Sequence, residues 1–95
     1  MLKYRLSEEA KDDLRRIYEY SVVQFGIAQA DEYFYSFFEA FDRISQSPAL
    51  YQSIDHIRIG YRGCPHRSDV IYYRINKDWV EIIAIIGGQD LDIWL

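Results

Sequence analysis

Three stretches of this chain predict an α+β domain of order β-αα-βββ. An N-terminal strand is followed by an antiparallel helical hairpin, packed on one face of a mainly antiparallel sheet. Residues 68–86 hold two runs of β-branched and aromatic residues around Asn76-Lys77-Asp78, the pattern of a β-hairpin with a short polar loop. Residues 10–44 carry two apolar stripes at helical spacing, separated by Gly26. Met1 to Leu6 alternates, with Leu2, Tyr4 and Leu6 on one side and Lys3 and Arg5 on the other, which is a short strand with one buried face. Helices grouped together and strands grouped together give α+β rather than alternating βαβ units.

In chain order, Ser7 stands at the N-cap of the first helix, and Glu8 and Glu9 suit its positive end. Ala10 takes the place where a full capping box would carry Glu or Gln. The first stripe runs Leu14, Ile17, Tyr18, Ser21, Val22 and Phe25, and Gly26 ends the helix. The second stripe runs Ile27, Ala30, Phe34, Phe37, Phe38, Phe41 and Ile44, fades in Ser45-Gln46-Ser47 and stops at Pro48. Its aromatic face is expected to pack on the sheet, with Tyr33 and Tyr35 lying off the stripe. Gln52 to Ile57 reads as loop and Ile59 to Cys64 as a strand whose glycines permit a bulge. In the hairpin, Val80, Ile82, Ala84 and Ile86 alternate onto one face with Ile71, Tyr73 and Ile75, which is the core face. Gly87-Gly88 breaks the last strand before the apolar tail Gln89-Asp90-Leu91-Asp92-Ile93-Trp94-Leu95.

The whole of 1–95 makes one domain, 49% hydrophobic and 27% charged, which excludes disorder. A net charge of −4 argues against nucleic acid as the main direct partner. The charge is uneven: residues 1–53 hold six Lys or Arg against nine Asp or Glu, whereas 54–78 hold five against three. A single cysteine, Cys64, excludes an internal disulfide, and neither a signal peptide nor a membrane-length apolar run is present, so a reducing cytoplasm is the expected compartment.

Few residues suit chemistry. Cys64 and His66 match no established zinc spacing and lack a group to orient the imidazole, so neither a metal site nor a nucleophilic pair is expected, and Cys64 reads as buried and inert. Gly87-Gly88 has no long helix after it and does not form a phosphate loop, so no cofactor is expected. Asp90 and Asp92 can act as an acid–base pair but fit a solvated tail better. The second sheet face is mixed. Arg5, Tyr72, Arg74 and Glu81 project there, with Arg62 expected nearby, and arginines among tyrosines either bind a phosphate or keep an open face soluble.

Taken together, these residues resemble the ParE branch of the ParE/RelE toxin superfamily. The matching pieces are Tyr4-Arg5-Leu6-Ser7 with Ala10, Asp13, Leu14, Ile17 and Tyr20, then Phe25-Gly26 with Gln29, Ala30 and Tyr33. Ser47-Pro48 with Leu50, Ile57-Arg58 with Gly60-Tyr61-Arg62, Val70-Ile71-Tyr72-Tyr73-Arg74 and Val80-Glu81-Ile82 complete the set, over almost the whole chain. The resemblance implies the toxin of a bacterial type II toxin–antitoxin pair, of the kind that serves plasmid or genome maintenance. It implies a hetero-oligomer with a ParD-like antitoxin, no cofactor, and inhibition of DNA gyrase by protein binding without a catalytic residue. Arg62, Tyr72, Arg74, Asp90, Asp92 and Trp94 are then target-binding candidates; Tyr33, Phe38, Trp79 and Trp94 are candidate anchors for the antitoxin. Two alternatives stay open: a ribosome-dependent mRNA nuclease like the RelE relatives, which cut with Lys, Arg and Tyr side chains of the open sheet face, or a detoxified antitoxin-binding module. The chain departs from the ParE pattern at Asp69, where His is common, and from Ile86-Gly87-Gly88 onward, in the part of the family most often tied to toxicity.

Overall fold

The structure, a computed structural model, describes residues 3–87. Strand β1 (Lys3–Leu6) leads into helices α1 (Glu8–Phe25) and α2 (Ile27–Gln46), followed by strands β2 (Gln52–Ser53), β3 (Tyr61–His66), β4 (Asp69–Ile75) and β5 (Trp79–Gly87). The five strands form one sheet in the order β1-β5-β4-β3-β2. β1 lies parallel to β5, and every other pair is antiparallel. This is the expected α+β architecture, with the helical hairpin on one face. The structure adds the two-residue β2 inside the predicted loop, and shifts the predicted strand at Ile59 to Tyr61–His66.

Local chemistry sets the helix ends. Ser7 Oγ accepts the N–H of Ala10 at 3.0 Å and donates to the Ile83 carbonyl at 2.7 Å, so one side chain caps α1 and ties it to the sheet. Gly26 closes α1 and opens α2: its N–H donates to Val22 O and its own carbonyl accepts from Ala30 N, both at 3.0 Å. Its φ of 90° is a conformation that a side chain resists. Ala10, Leu14, Ile17, Ala30, Phe37, Ala40, Phe41 and Ile44 bury the facing stripes, while Phe25 and Ile27, at the tip of the hairpin, stay exposed.

The central hairpin corrects the expected alternation. Up to Tyr73↔Ile82 the register of β4 and β5 follows one parity; from Tyr72↔Ala84 onward it has slipped by one, leaving Ile83 as the extra residue of a β-bulge. Val80 and Ile82 therefore face the helices, and so does Ile85, whereas Ala84 and Ile86 turn to the opposite face. There they join Ile54 and Tyr72 in a second small core, flanked by Ile57, Tyr61, Val70 and Ile83. Ile75, expected in the core, ends β4 exposed.

The bulge coincides with the end of β1, where the edge of β5 loses its strand partner. Side chains of α1 take over: Asp13 Oδ2 accepts the Ile85 N–H at 3.0 Å, and an Arg16 guanidinium N–H donates to the Ile85 carbonyl at 3.5 Å. Ser7 completes the set through its N–H to Ile82 O at 3.0 Å and its hydroxyl to Ile83 O. Among the described residues, no helix is long and apolar enough to cross a membrane.

Candidate functional site

The mixed sheet face is built from side chains of four strands and the loop before β3. Opposite Arg74 of β4 stands Glu81 of β5, and opposite Glu81 stands Arg5 of β1, so the register itself lines up a charged row. Arg74 Nε donates to Glu81 Oε1 at 2.6 Å. That hydrogen bond, followed by the carboxylate's charge, raises the Arg74 pKa above its ordinary value. At one end of the row the Arg5 guanidinium lies 4.1 Å from the centre of the Trp79 ring. At the other end Arg58 lies 5.8 Å from the centre of the Tyr61 ring. The face thus presents cations seated on aromatic rings, with Glu81 between two arginines.

Two predicted members are placed differently. Tyr72 belongs to the face but is only 5% exposed, because the Ile54 loop and Ile86 close over it; this burial raises its phenol pKa. Arg62 points to the helical side. It pairs in register with Tyr73, and its guanidinium donates to the carbonyls of Tyr51 at 2.8 Å and Ala49 at 3.4 Å, holding the segment after α2 to β3. The expected neighbourhood of Arg62, Tyr72 and Arg74 is therefore corrected: β3 register puts Arg62 on one face and Arg74 on the other, where Arg5 and Arg58 accompany it. Arg5 was legible from alternation; Arg58, in an irregular loop, had no periodic signal.

On the helical side Tyr33 and Phe38 are both half-buried on α2 and open onto different depressions. Phe38 packs on Phe34 and Phe41, with ring centres 5.2 and 5.5 Å apart, and lines an apolar groove with Leu6, Leu14 and Tyr18. Tyr33 hydroxyl donates to Asp69 Oδ2, and its ring stacks on His66 with centres 5.8 Å apart. Burial first, then the Asp69 hydrogen bond, push the Tyr33 pKa far above the usual phenol value. His66 is buried beside Ser36 Oγ, 2.8 Å from Nε2, and the loss of water pulls its pKa below the usual imidazole value. Asp69, the position that departs from the family pattern, is thus the acceptor that fixes Tyr33. Trp79 lies on the opposite, sheet side of the molecule. Asp90, Asp92 and Trp94 lie outside the described residues.

Cys64 is a buried free thiol whose pKa burial pushes up, the state expected of an inert core cysteine. Among the described residues, no three His, Cys, Asp or Glu side chains are grouped to hold a metal ion.

The model of the ParE toxin of the type II toxin–antitoxin system parDE matches residues 4–91. The chain belongs to the ParE toxin family. The toxin ParE1 of Caulobacter vibrioides is 37% identical over 86 residues, covering 90% of this chain and 88% of that protein. The toxin ParE1 of Mycobacterium tuberculosis is 28% identical over 91 residues, covering 96% of this chain and 93% of the other. Among solved structures, a chain of the chromosomal ParDE toxin–antitoxin system of P. aeruginosa superposes with a TM-score of 0.81 at 19% identity, covering 92% of this chain and 96% of that one. A conserved hypothetical protein from Helicobacter pylori shares the fold more loosely, with a TM-score of 0.58 at 14% identity over 96% of this chain and 99% of its own. This chain is therefore a ParE-type toxin of a type II toxin–antitoxin system, with the α+β fold of that family.

Proposed function

We propose that this ParE-type toxin inhibits DNA gyrase by binding it, without catalysis of its own, and is neutralised in the cytoplasm by a ParD-like antitoxin in a hetero-oligomer. Membership of the family, over residues 4–91, carries the reading. The open face supports binding over nuclease chemistry. Tyr72 lies beneath Ile54 and Ile86, away from any scissile phosphate, and Arg74, although 47% exposed, has its charge paired with Glu81 at 2.6 Å. Arg5, Arg58 and Trp79 remain on the surface of that face as contact residues for a protein partner. Aromatic and arginine side chains are the types that dominate such contacts. Phe38 and the apolar groove between α1, α2 and β1 are the seat we assign to the antitoxin.

The decisive measurement is DNA supercoiling by purified gyrase with the toxin added alone and with its antitoxin. Loss of supercoiling that the antitoxin restores is the expected result. Unchanged supercoiling at large molar excess, together with mRNA cleavage on ribosomes, would overturn the reading in favour of a nuclease. Unchanged supercoiling without cleavage, and harmless expression in a host lacking the antitoxin, would point to a detoxified binding module.

A further inference from the structure

The helical hairpin ends in a tip that the fold leaves apolar and exposed. Residues 20–30 form a run of eleven without a charged side chain, and residues 23–29 are all exposed. Tyr20, Val23, Phe25 and Ile27 are 63%, 80%, 61% and 65% exposed, large hydrophobic side chains gathered around the joint at Gly26. We propose that this tip is the contact surface for a second copy of the chain, the two packed about a two-fold axis. The proposal goes beyond the assignment of target and antitoxin and depends on neither.

Three observations carry it. The first is area. An aromatic side chain buries about 150–250 Å², so Tyr20 and Phe25 leave on the order of 250 Å² open, and Val23 and Ile27 add roughly as much. Each copy thus offers roughly 500 Å², within the range of patches that mark interaction sites. Two copies together remove about 1,000 Å² from water, the size at which specific association begins.

The second is the polarity of the helix ends. The C-terminal end of α1 carries the negative pole of its macrodipole and the N-terminal end of α2 the positive pole, and the two stand on either side of Gly26. Helix α1 has no basic residue in its last turn, α2 has no acidic residue in its first, and Gly26 has no side chain to cap α2. In a two-fold contact residue i meets j and j meets i. The α1 end of one copy then faces the α2 end of the other, so each pole meets its opposite.

The third is neutrality. A chain of net charge −4 repels its own copy, and that repulsion is least where the contact itself holds no charge. A partner recruited by charge has nothing to hold between Tyr20 and Ala30, whereas a second copy brings an equally neutral and equally apolar surface. Gln24 and Gln29, both exposed, supply a hydrogen-bonding rim.

Sedimentation equilibrium of the full chain, from about 5 to 500 µM in physiological salt, should show monomer and dimer with a Kd on the order of 10–100 µM, as suits an interface of small area. V23E and I27E each bring a charge into the patch on both copies and should raise Kd roughly tenfold or more. Both positions are exposed, so a urea midpoint close to that of the parent shows that the fold is intact. A mixture of Q24K and Q29E chains should associate about twofold or more tightly than either alone, because the α1 end of one copy then meets the α2 end of the other with opposite charges. A chain that stays monomeric up to about 500 µM overturns the proposal. So does association that V23E and I27E leave unchanged, a mixture that associates no better than its components, or growth past the dimer into open-ended aggregates. A monomer whose V23E variant instead loses its hold on the antitoxin or on gyrase assigns the tip to that partner, and this too overturns the second copy.

Discussion

Replacing Asp13 with alanine tests how α1 is bound to the sheet. Asp13 is a charged residue on an amphipathic helix, and by sequence it is a candidate for a surface ion pair. It does pair with Arg16, at 3.3 Å, but the Arg16 side chain is 62% exposed, and such a pair contributes at most a few tenths of a kcal/mol to about 1 kcal/mol. The other oxygen does more. Oδ2 accepts the N–H of Ile85, a fully buried residue just past the point where β1 ceases to pair with β5. Removing the carboxylate leaves a backbone donor of a core strand without its partner, and a hydrogen bond to a charged group is worth roughly 1.5–3 kcal/mol. D13A should therefore lower the unfolding free energy by about 2–3 kcal/mol, equivalent to a fall in Tm on the order of 10–20 °C for a domain of this size. D13N, which keeps an acceptor oxygen, should lose about half as much. Urea unfolding of the three proteins, fitted with a common slope, measures both. A D13A loss below about 0.5 kcal/mol, the size of an exposed pair, would refute the argument that α1 completes the edge of β5.

Three further outcomes follow from single positions. G26A should cost about 1–2 kcal/mol by urea unfolding, because φ is 90° there even though a Cβ would meet no atom within 4 Å; a neutral result would mean that the joint between the helices relaxes freely. His66 has a folded-state pKa below its ordinary 6.5, so its contribution to stability is complete above pH 6.5 and is lost as pH falls from 6.5 through the folded value; H66Q should flatten that part of the stability–pH curve, and an unchanged slope would contradict it. Tyr73, whose hydroxyl donates to the Pro48 carbonyl at 2.5 Å, has its pKa raised from 10.0 to about 12, mainly by burial, so stability is full below pH 10 and falls as pH rises from 10 toward 12. Y73F should remove that alkaline loss at a cost of about 1 kcal/mol at neutral pH, which pH-resolved denaturant titrations would show.

Much of the fold is legible in the sequence because its signals are local. Ser7 and Gly26 mark helix ends through the chemistry of their own side chains or lack of one, and Asn76-Lys77-Asp78 bridges β4 and β5 as read. What alternation did not show is the bulge at Ile83. Ile82, Ile83, Ile85 and Ile86 are all apolar, so a one-residue slip leaves the pattern of hydrophobicity intact while sending Ala84 and Ile86 to the other face. The slip depends on Ser7 and Asp13, 76 and 72 residues away in sequence, which supply the hydrogen bonds that make it stable. The site followed the same rule. Arg74 and Glu81 were placed together by hairpin parity, whereas Arg62 went to the opposite face because β3 pairs it with the core residue Tyr73 and gives Tyr61, its neighbour, to Arg74, a cross-strand register that the sequence of β3 alone does not carry. The partnership of Tyr33 with Asp69 joins a helix to a strand and had no signature in spacing.

The net charge of −4 is unevenly spread along the chain. Helices α1 and α2 carry nine acidic residues against four basic ones, while the described strands and loops carry seven basic against four acidic. The helices cover one sheet face, and on the other Arg5, Arg58 and Arg74 stand around Glu81. At a Debye length of about 8 Å in physiological salt, a partner approaching either surface senses mainly that surface and not the total. A sequence-level argument from pI therefore speaks to solubility and says little about which partner meets which face. On the function proposed above, an antitoxin in the groove beside α2 and a target on the sheet face would encounter different fields. That difference is set by where the chain folds its charges, because the order β-αα-βββ gathers the acidic helices into one layer.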